Sequence, residues 1–258
     1  MNVLQNILDH KRTEVEEARV ALPLDELKQR LSVAPPVRPF REALCGERLA
    51  VIAEIKKASP SRGVLAEDFH PADLAREFAQ HGASALSVLT DKRFFQGEHE
   101  FIHTVKSVVN LPVLRKDFII DEYQVYESRA IGADAILLIV SALSQEMLQT
   151  LYLLARSLGL GVLVEVHSAE EVEHANAINA EMIGVNNRNL ATFELSLATS
   201  VDLKRLIHKD AVTVSESGVS SSKDAALLRQ AGFDAVLVGE SLMTAENRGI
   251  ALQQLVQA

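Results

Sequence analysis

The sequence has a single cysteine, Cys45, in 258 residues, which excludes an internal disulfide and any cysteine-rich metal site. That scarcity fits a reducing cytoplasm, where Cys45 itself is expected to be buried or inert. No apolar run reaches the ~18–20 residues needed to span a bilayer. The N-terminus, MNVLQNILDHKRTEVEEA, is amphipathic and acidic, unlike a secretory signal or a transit peptide. Excess positive charge is also missing. With 35 acidic and 26 basic side chains the formal charge is -9, which argues against nucleic acid or an anionic membrane as partner. No GxGxxG follows the first strand-like run, and no cofactor is expected.

Hydrophobic residues make up 48% of the chain, enough for a sizeable core. They fall in short runs at 49–55, 84–89, 112–115, 134–139, 161–166, 181–185, 211–215 and 234–238. Nearly continuous apolar runs suit strands covered on both faces. Helix-like segments at 71–81, 98–109, 121–131, 144–158, 168–178, 195–208 and 220–230 lie between them, with start signals at Pro71, Asp121, Ser144, Ser168 and Ser220. HGASALSVL from His81, IGADAILLI from Ile131, NAEMIGV from Asn179 and AGFDAVLVG from Ala231 repeat one pattern, helix end, small turn residue, strand, about every fifty residues. Four such quarters predict an α/β fold of the (βα)8 TIM-barrel type rather than an open doubly wound sheet. The whole chain, 1–258, is expected to be one domain, with a helical extension at 1–48 broken near Pro35-Pro36 and Pro39 and the barrel at 49–258.

Active sites of such barrels lie at the C-terminal strand ends, and polar residues concentrate there. Glu54 and Lys56 share the face of Ile52, because strand side chains alternate. An ionised pair on an inward face is costly unless it meets a partner or a polar ligand. Eight cations, Lys56, Lys57, Arg62, Lys92, Arg93, Arg115, Lys116 and Arg188, fall in the end loops of an acidic chain. They point to a small multivalent anion as ligand. Ser217-Gly218 and Gly239-Glu240-Ser241 open helical turns after the last two strands, where backbone N–H groups bind phosphate. Lys116 and Glu165 are the acid–base candidates: desolvation beside Arg115 and Lys56 is expected to lower the lysine, a nearby carboxylate to oppose that, and partial burial to raise the carboxyl. An ion-pair ring plugging the barrel mouth is the competing explanation.

Together the segments AEIKKASPSRG from Ala53, SVLTDKRFFQG from Ser87, LRKDFIIDEYQ from Leu114, VEVH from Val164, IGVNNRNL from Ile183, VSESGV from Val214 and VLVGESLM from Val236 closely resemble indole-3-glycerol phosphate synthase. The matches run through the barrel in order, and the N-terminal extension fits that family as well. The resemblance implies the tryptophan-pathway substrate 1-(2-carboxyphenylamino)-1-deoxyribulose 5-phosphate, which cyclises and loses carbon dioxide and water. It implies that Lys116 is the general acid, that Glu165 is the base of the dehydration, and that Glu54 supports the cationic intermediate. Lys56 would hold the substrate anion or act as an acid. Asn186 and Arg188 would orient the ring and its carboxylate, with Ser59 alongside, and Phe95 and Leu137 would pack on the ring. Glu216 and Ser217 match further site positions, and Ser217, Gly218, Gly239, Glu240 and Ser241 would surround the phosphate. The only expected partner is a small phosphorylated acid, and the expected state is a monomer, with a dimer as the alternative.

One departure is Glu98, where many relatives carry a small polar residue; its charge is expected to weaken closure of the loop after the second strand. His99-Glu100-Phe101-Ile102-His103 matches HExxH, yet its barrel-helix context and the lack of a third ligand speak against a metal site. His167 reads as a solvated loop histidine. Two rival functions share the fold: another phosphate-binding barrel enzyme (an isomerase, or an aldolase forming a Schiff base on Lys116 or Lys56) and a non-catalytic sugar-phosphate sensor.

Overall fold

A computed structural model describes residues 3–189 and 194–258. Among them, eight parallel strands close into a barrel in chain order: β1 Ala50–Ile55, β2 Ala85–Leu89, β3 Val113–Lys116, β4 Ala135–Ile139, β5 Gly161–Val166, β6 Met182–Asn186, β7 Val212–Glu216 and β8 Ala235–Val238. The ring shuts where Ala50 to Ala53 of β1 lie opposite Ala235 to Val238 of β8. Helices follow the strands, and the barrel ends on Arg248–Val256. The sequence-predicted helix at 195–208 is shorter, Leu197–Lys204. The matching segment that begins at Ile183 runs to Leu190, which lies outside the described residues.

The repeated quarters have a local physical cause. Their turn residues Gly82, Gly132, Asn179 and Gly232 all take positive φ, between 51° and 95°. Each ends a helix in the left-handed conformation that turns the chain back toward the sheet. In two quarters an aspartate follows and secures the neighbouring strand: Asp134 accepts from Val113 N at 2.8 Å and Asp234 from Thr213 N at 2.7 Å. The expected start signals largely hold, with Ser144 and Ser168 accepting from backbone N–H groups of the first helical turn. The cap of Ser222–Gln230 is Ser221 rather than Ser220, because Ser221 forms the reciprocal capping box with Asp224.

Strand alternation divides the apolar residues into two cores. Val51, Ala53, Leu86, Val88, Val162 and Val164 face the helices. Ile52, Leu114, Leu137, Leu163, Val214 and Leu237 fill the barrel, where Phe40 and Leu44 join them. Phe40 and Leu44 are buried at 2% and 0% exposure, and burial of side chains this size contributes about 1.5–3 kcal/mol each.

The N-terminal extension therefore reaches both barrel ends. Helix α1, Val3–Ala21, lies over the mouth, α2, Leu24–Arg30, packs against Glu122–Ala130, and Phe40–Ala43 closes the floor. Between them Arg38 donates to the carbonyls of Lys106, Val109 and Leu111 at 3.0, 2.9 and 2.8 Å, fixing the chain beside the start of β3. A two-stranded hairpin, Ala58–Ser59 with Gly63–Val64, stands in what the sequence suggests is a plain loop after β1.

Candidate active site

A cavity of about 500 Å³ opens at the C-terminal strand ends. Every candidate residue from the sequence lines it: Glu54, Lys56, Ser59 and Phe95; Lys116, Leu137, Glu165, Asn186 and Arg188; Glu216, Ser217, Gly218, Gly239, Glu240 and Ser241. Val3, Leu4 and Ile7 of α1 complete the apolar wall. Phe95 sits near Phe118, ring centroids 6.0 Å apart. The wall suits an aromatic ring and the floor is charged.

The floor consists of inward-facing side chains that replace hydrophobic ones in the last strand positions. Lys116 Nζ lies 3.0 Å from Glu165 Oε2 and 3.4 Å from Glu216 Oε2. Lys56 Nζ pairs with Glu54 Oε2 at 2.7 Å. Asn186 donates to Glu165 Oε1 at 3.2 Å and accepts from Arg188 N at 3.0 Å. Above them, Glu240 bridges Arg62 at 2.9 Å and Arg188 at 3.1 Å. Asn187, only 2% exposed, donates to Ser217 O at 3.0 Å and holds a loop in which Ser217 and Gly218 both have positive φ.

Electrostatics differ from the sequence expectation. Burial pushes the Lys116 ammonium down, but Glu165, Glu216 and Glu54 together hold it above the ordinary lysine range. The lowering expected from Arg115 does not occur, because Arg115 points out of the barrel. β3 alternates, so Lys116 faces in while Arg115 is buried outside against Asp117 at 3.1 Å and Glu127 at 2.9 Å. Glu165 is not raised either: burial works against its charge, and Lys116 and His167 hold it below the usual carboxylate range. The raised carboxyl is Glu216, pushed up to about 8 by burial, with Lys116 opposing and Glu165 and Glu54 adding to the rise.

Of the eight cations, Lys56, Arg62, Lys116 and Arg188 line the cavity. His167 is not a solvated loop residue; its side chain is 13% exposed and lies between Glu165 and Glu171. Cys45 is exposed rather than buried. His99 faces Arg115 Nη2 at 2.8 Å, and His103 is exposed, so the two histidines of the HExxH match do not converge. Glu98 is half-exposed, 3.9 Å from Lys92.

Two features escaped the sequence reading. Lys11 of α1 is fully buried, with Nζ 2.9 Å from Asp117, 3.1 Å from Asp91 and 3.0 Å from Glu14. Asp91 in turn caps Lys92–Phe95, accepting from Phe94 N at 2.7 Å. The signal was present, since Leu4, Ile7, Leu8, Lys11 and Val15 form one apolar stripe with a lysine in it. The second is space for carboxylates. A Cβ on Gly239 would stand 2.2 Å from Glu54 Oε2, and one on Gly184 would stand 2.1 Å from Glu216 Oε1. Gly239→Ala is therefore expected to displace Glu54 and to lower turnover at least tenfold with little change in thermal stability; steady-state kinetics beside a melting curve checks this.

The profile of the indole-3-glycerol phosphate synthase family matches residues 4–255. The chain belongs to that family. It is 51% identical over 248 residues to the indole-3-glycerol phosphate synthase of Chlorobium luteolum, covering 95% of each chain. It is 48% identical over 258 residues to that of Burkholderia vietnamiensis, covering 98% of each. Solved structures of other enzymes share the fold alone. A thiamine phosphate pyrophosphorylase from Pyrococcus furiosus superposes with TM-score 0.62 at 18% identity, over 85% of this chain and 96% of that one. A 3-hexulose-6-phosphate synthase from Salmonella typhimurium gives 0.63 at 14%, over 81% and 97%. No helix among the described residues is long and apolar enough to cross a membrane.

Proposed function

We propose that the cavity binds 1-(2-carboxyphenylamino)-1-deoxyribulose 5-phosphate and converts it to indole-3-glycerol phosphate with loss of carbon dioxide and water. The observation that carries this reading is a lysine, Lys116, held between the buried carboxyl groups of Glu165 and Glu216 beneath an apolar wall. In the first step the ring carbon bearing the carboxylate attacks the ketone carbon. A C–C bond forms, and the carbonyl electron pair takes a proton from Lys116. Carbon dioxide then leaves, its bonding pair restoring the aromatic ring. Finally the new hydroxyl departs as water, protonated by reloaded Lys116, while Glu165 accepts the proton released.

The other residues bind and orient. Lys56 and Arg188 meet the substrate's anionic groups, with Asn186 and Ser59 beside the ring carboxylate. Glu54 and Glu216 offset cationic charge that develops during ring closure, and Phe95 and Leu137 pack on the ring. Backbone N–H groups around Ser217-Gly218 and Gly239-Glu240-Ser241 hold the phosphate. The Glu240 carboxylate is turned onto Arg62 and Arg188, which keeps it from opposing that anion.

A Schiff-base aldolase needs a neutral amine as nucleophile, whereas the acidic groups around Lys116, Glu165 foremost, favour its charged form. The reading carries a cytoplasmic location and a monomeric state with it. The test is to add the substrate to purified protein and follow indole absorbance and fluorescence. Indole formation with no borohydride-trapped adduct is the expected result. A trapped imine, or binding without turnover, would instead favour an aldolase or a sensor.

A further inference from the structure

The acid that reacts and the base that waits share one ion pair. Lys116 Nζ contacts Glu165 Oε2 at 3.0 Å. When Lys116 gives its proton away it becomes neutral, and Glu165 loses that cation at the moment it must stay a carboxylate. Glu216 lies on the same lysine at 3.4 Å, so once that lysine is neutral the two carboxyl groups face each other without it, each opposing the other's charge. A second, permanent cation would remove the conflict.

His167 occupies the place such a cation requires. Its Nε2 lies 3.3 Å from Glu165 Oε1, the oxygen that Lys116 does not contact, as an ion-pair contact outside hydrogen-bond alignment. Its Nδ1 lies 3.1 Å from Glu171 Oε2. That same Glu171 oxygen accepts from His167 N at 2.8 Å, so it fixes both the backbone and the ring. Glu171 is itself fixed, because its N–H donates to the helix cap Ser168 at 3.2 Å. The imidazole is therefore flanked by one carboxylate on each nitrogen, an arrangement that suits the form with both nitrogens protonated.

We propose that His167, held by Glu171, is a positioning residue whose fixed imidazolium keeps Glu165 ionised while Lys116 is deprotonated. The inference rests on the synthase reading of the site. The groups facing Glu165 are Lys116 from β3, Asn186 from β6, Glu216 from β7 and His167 itself, while Glu165 and Glu171 face His167. Burial opposes the charged imidazole, but these two carboxylates raise it to about 10.

The test is the pH dependence of kcat for indole formation in the wild type, His167→Gln and Glu171→Gln. Wild-type turnover is measured first, and its absence would refute the synthase reading without bearing on His167. With turnover present, the acid limb of the profile is expected to move upward by about one pH unit or more in His167→Gln. Glu171→Gln should give a smaller shift in the same direction, although Glu171 does not touch Glu165. A limb that stays in place, or a loss of kcat equal at every pH, would overturn the proposal. The imidazole nitrogen resonances of the intact wild-type protein give a readout that no variant can spoil. His167 should remain doubly protonated at pH 8, and titration near its ordinary value would refute the idea.

Discussion

Lys116→Ala is expected to lower kcat for indole formation by about 10²–10⁴-fold, the range for a lost general acid, while the barrel stays folded. Folding survives because the interior layers beneath Lys116 are apolar and independent of it, Leu114 and Ile52 among them. The variant should also change its response to pH. In the wild type, Lys116 is raised above its unfolded value of 10.5, so its stabilisation is fully present below that pH and is lost only as pH rises through the folded value. Glu165 is depressed below 4.5, so its share is present above that pH and is lost as pH falls through the folded value. Between those limits the pair contributes fully. With alanine at 116, Glu216 keeps its burial and loses the lysine that opposes its rise, so it moves up further and deprotonating it costs more stability as pH rises above about 4.5. Urea unfolding at several pH values would reveal that steeper fall. Near-normal turnover in the variant would remove Lys116 from the acid role.

The second large effect is expected far from the reacting atoms. Lys11→Met should cost about 3–5 kcal/mol, because it leaves Asp91 buried without a cation and Asp117 with Arg115 alone. Both aspartates are fully enclosed, and Asp117 is held below the usual carboxylate range by Arg115 and Lys11 against the opposing effect of burial. The loss should appear in urea unfolding at neutral pH and shrink in Lys11→Arg, which retains the charge. KM should rise more than kcat falls, because α1 supplies Val3, Leu4 and Ile7 to the wall that receives the ring. A loss below about 1 kcal/mol would mean that water or other groups satisfy the two acids.

The barrel was legible in the sequence because its cause is local and repeated. Four turns of one kind, each ending a helix and starting an apolar strand, leave few topologies. The candidate site was legible for the same reason: polar residues at strand ends are exceptions to a strong apolar pattern, and alternation told which way Glu54 and Lys56 face. The same rule, applied to Arg115 and Lys116, would have separated them, since adjacent strand residues cannot both face the cavity. What could not be read is what depends on distance across the ring. Glu165 and Glu216 lie on strands that are not neighbours, and their carboxyls shift in opposite directions because Glu165 has Lys116 closer and His167 besides, while burial prevails at Glu216. Lys11 was missed because its partners follow two other strands, and a lone lysine on a helix ordinarily reaches solvent.

That long-range pairing also orders events during synthesis. The ribosome releases Lys11 well before Asp91, and Asp117 emerges later still, so the first helix leaves the exit tunnel with neither buried counterion available. It cannot dock in its final place until the third strand has emerged. Until then the growing chain carries an undocked amphipathic segment that only later translation can seat.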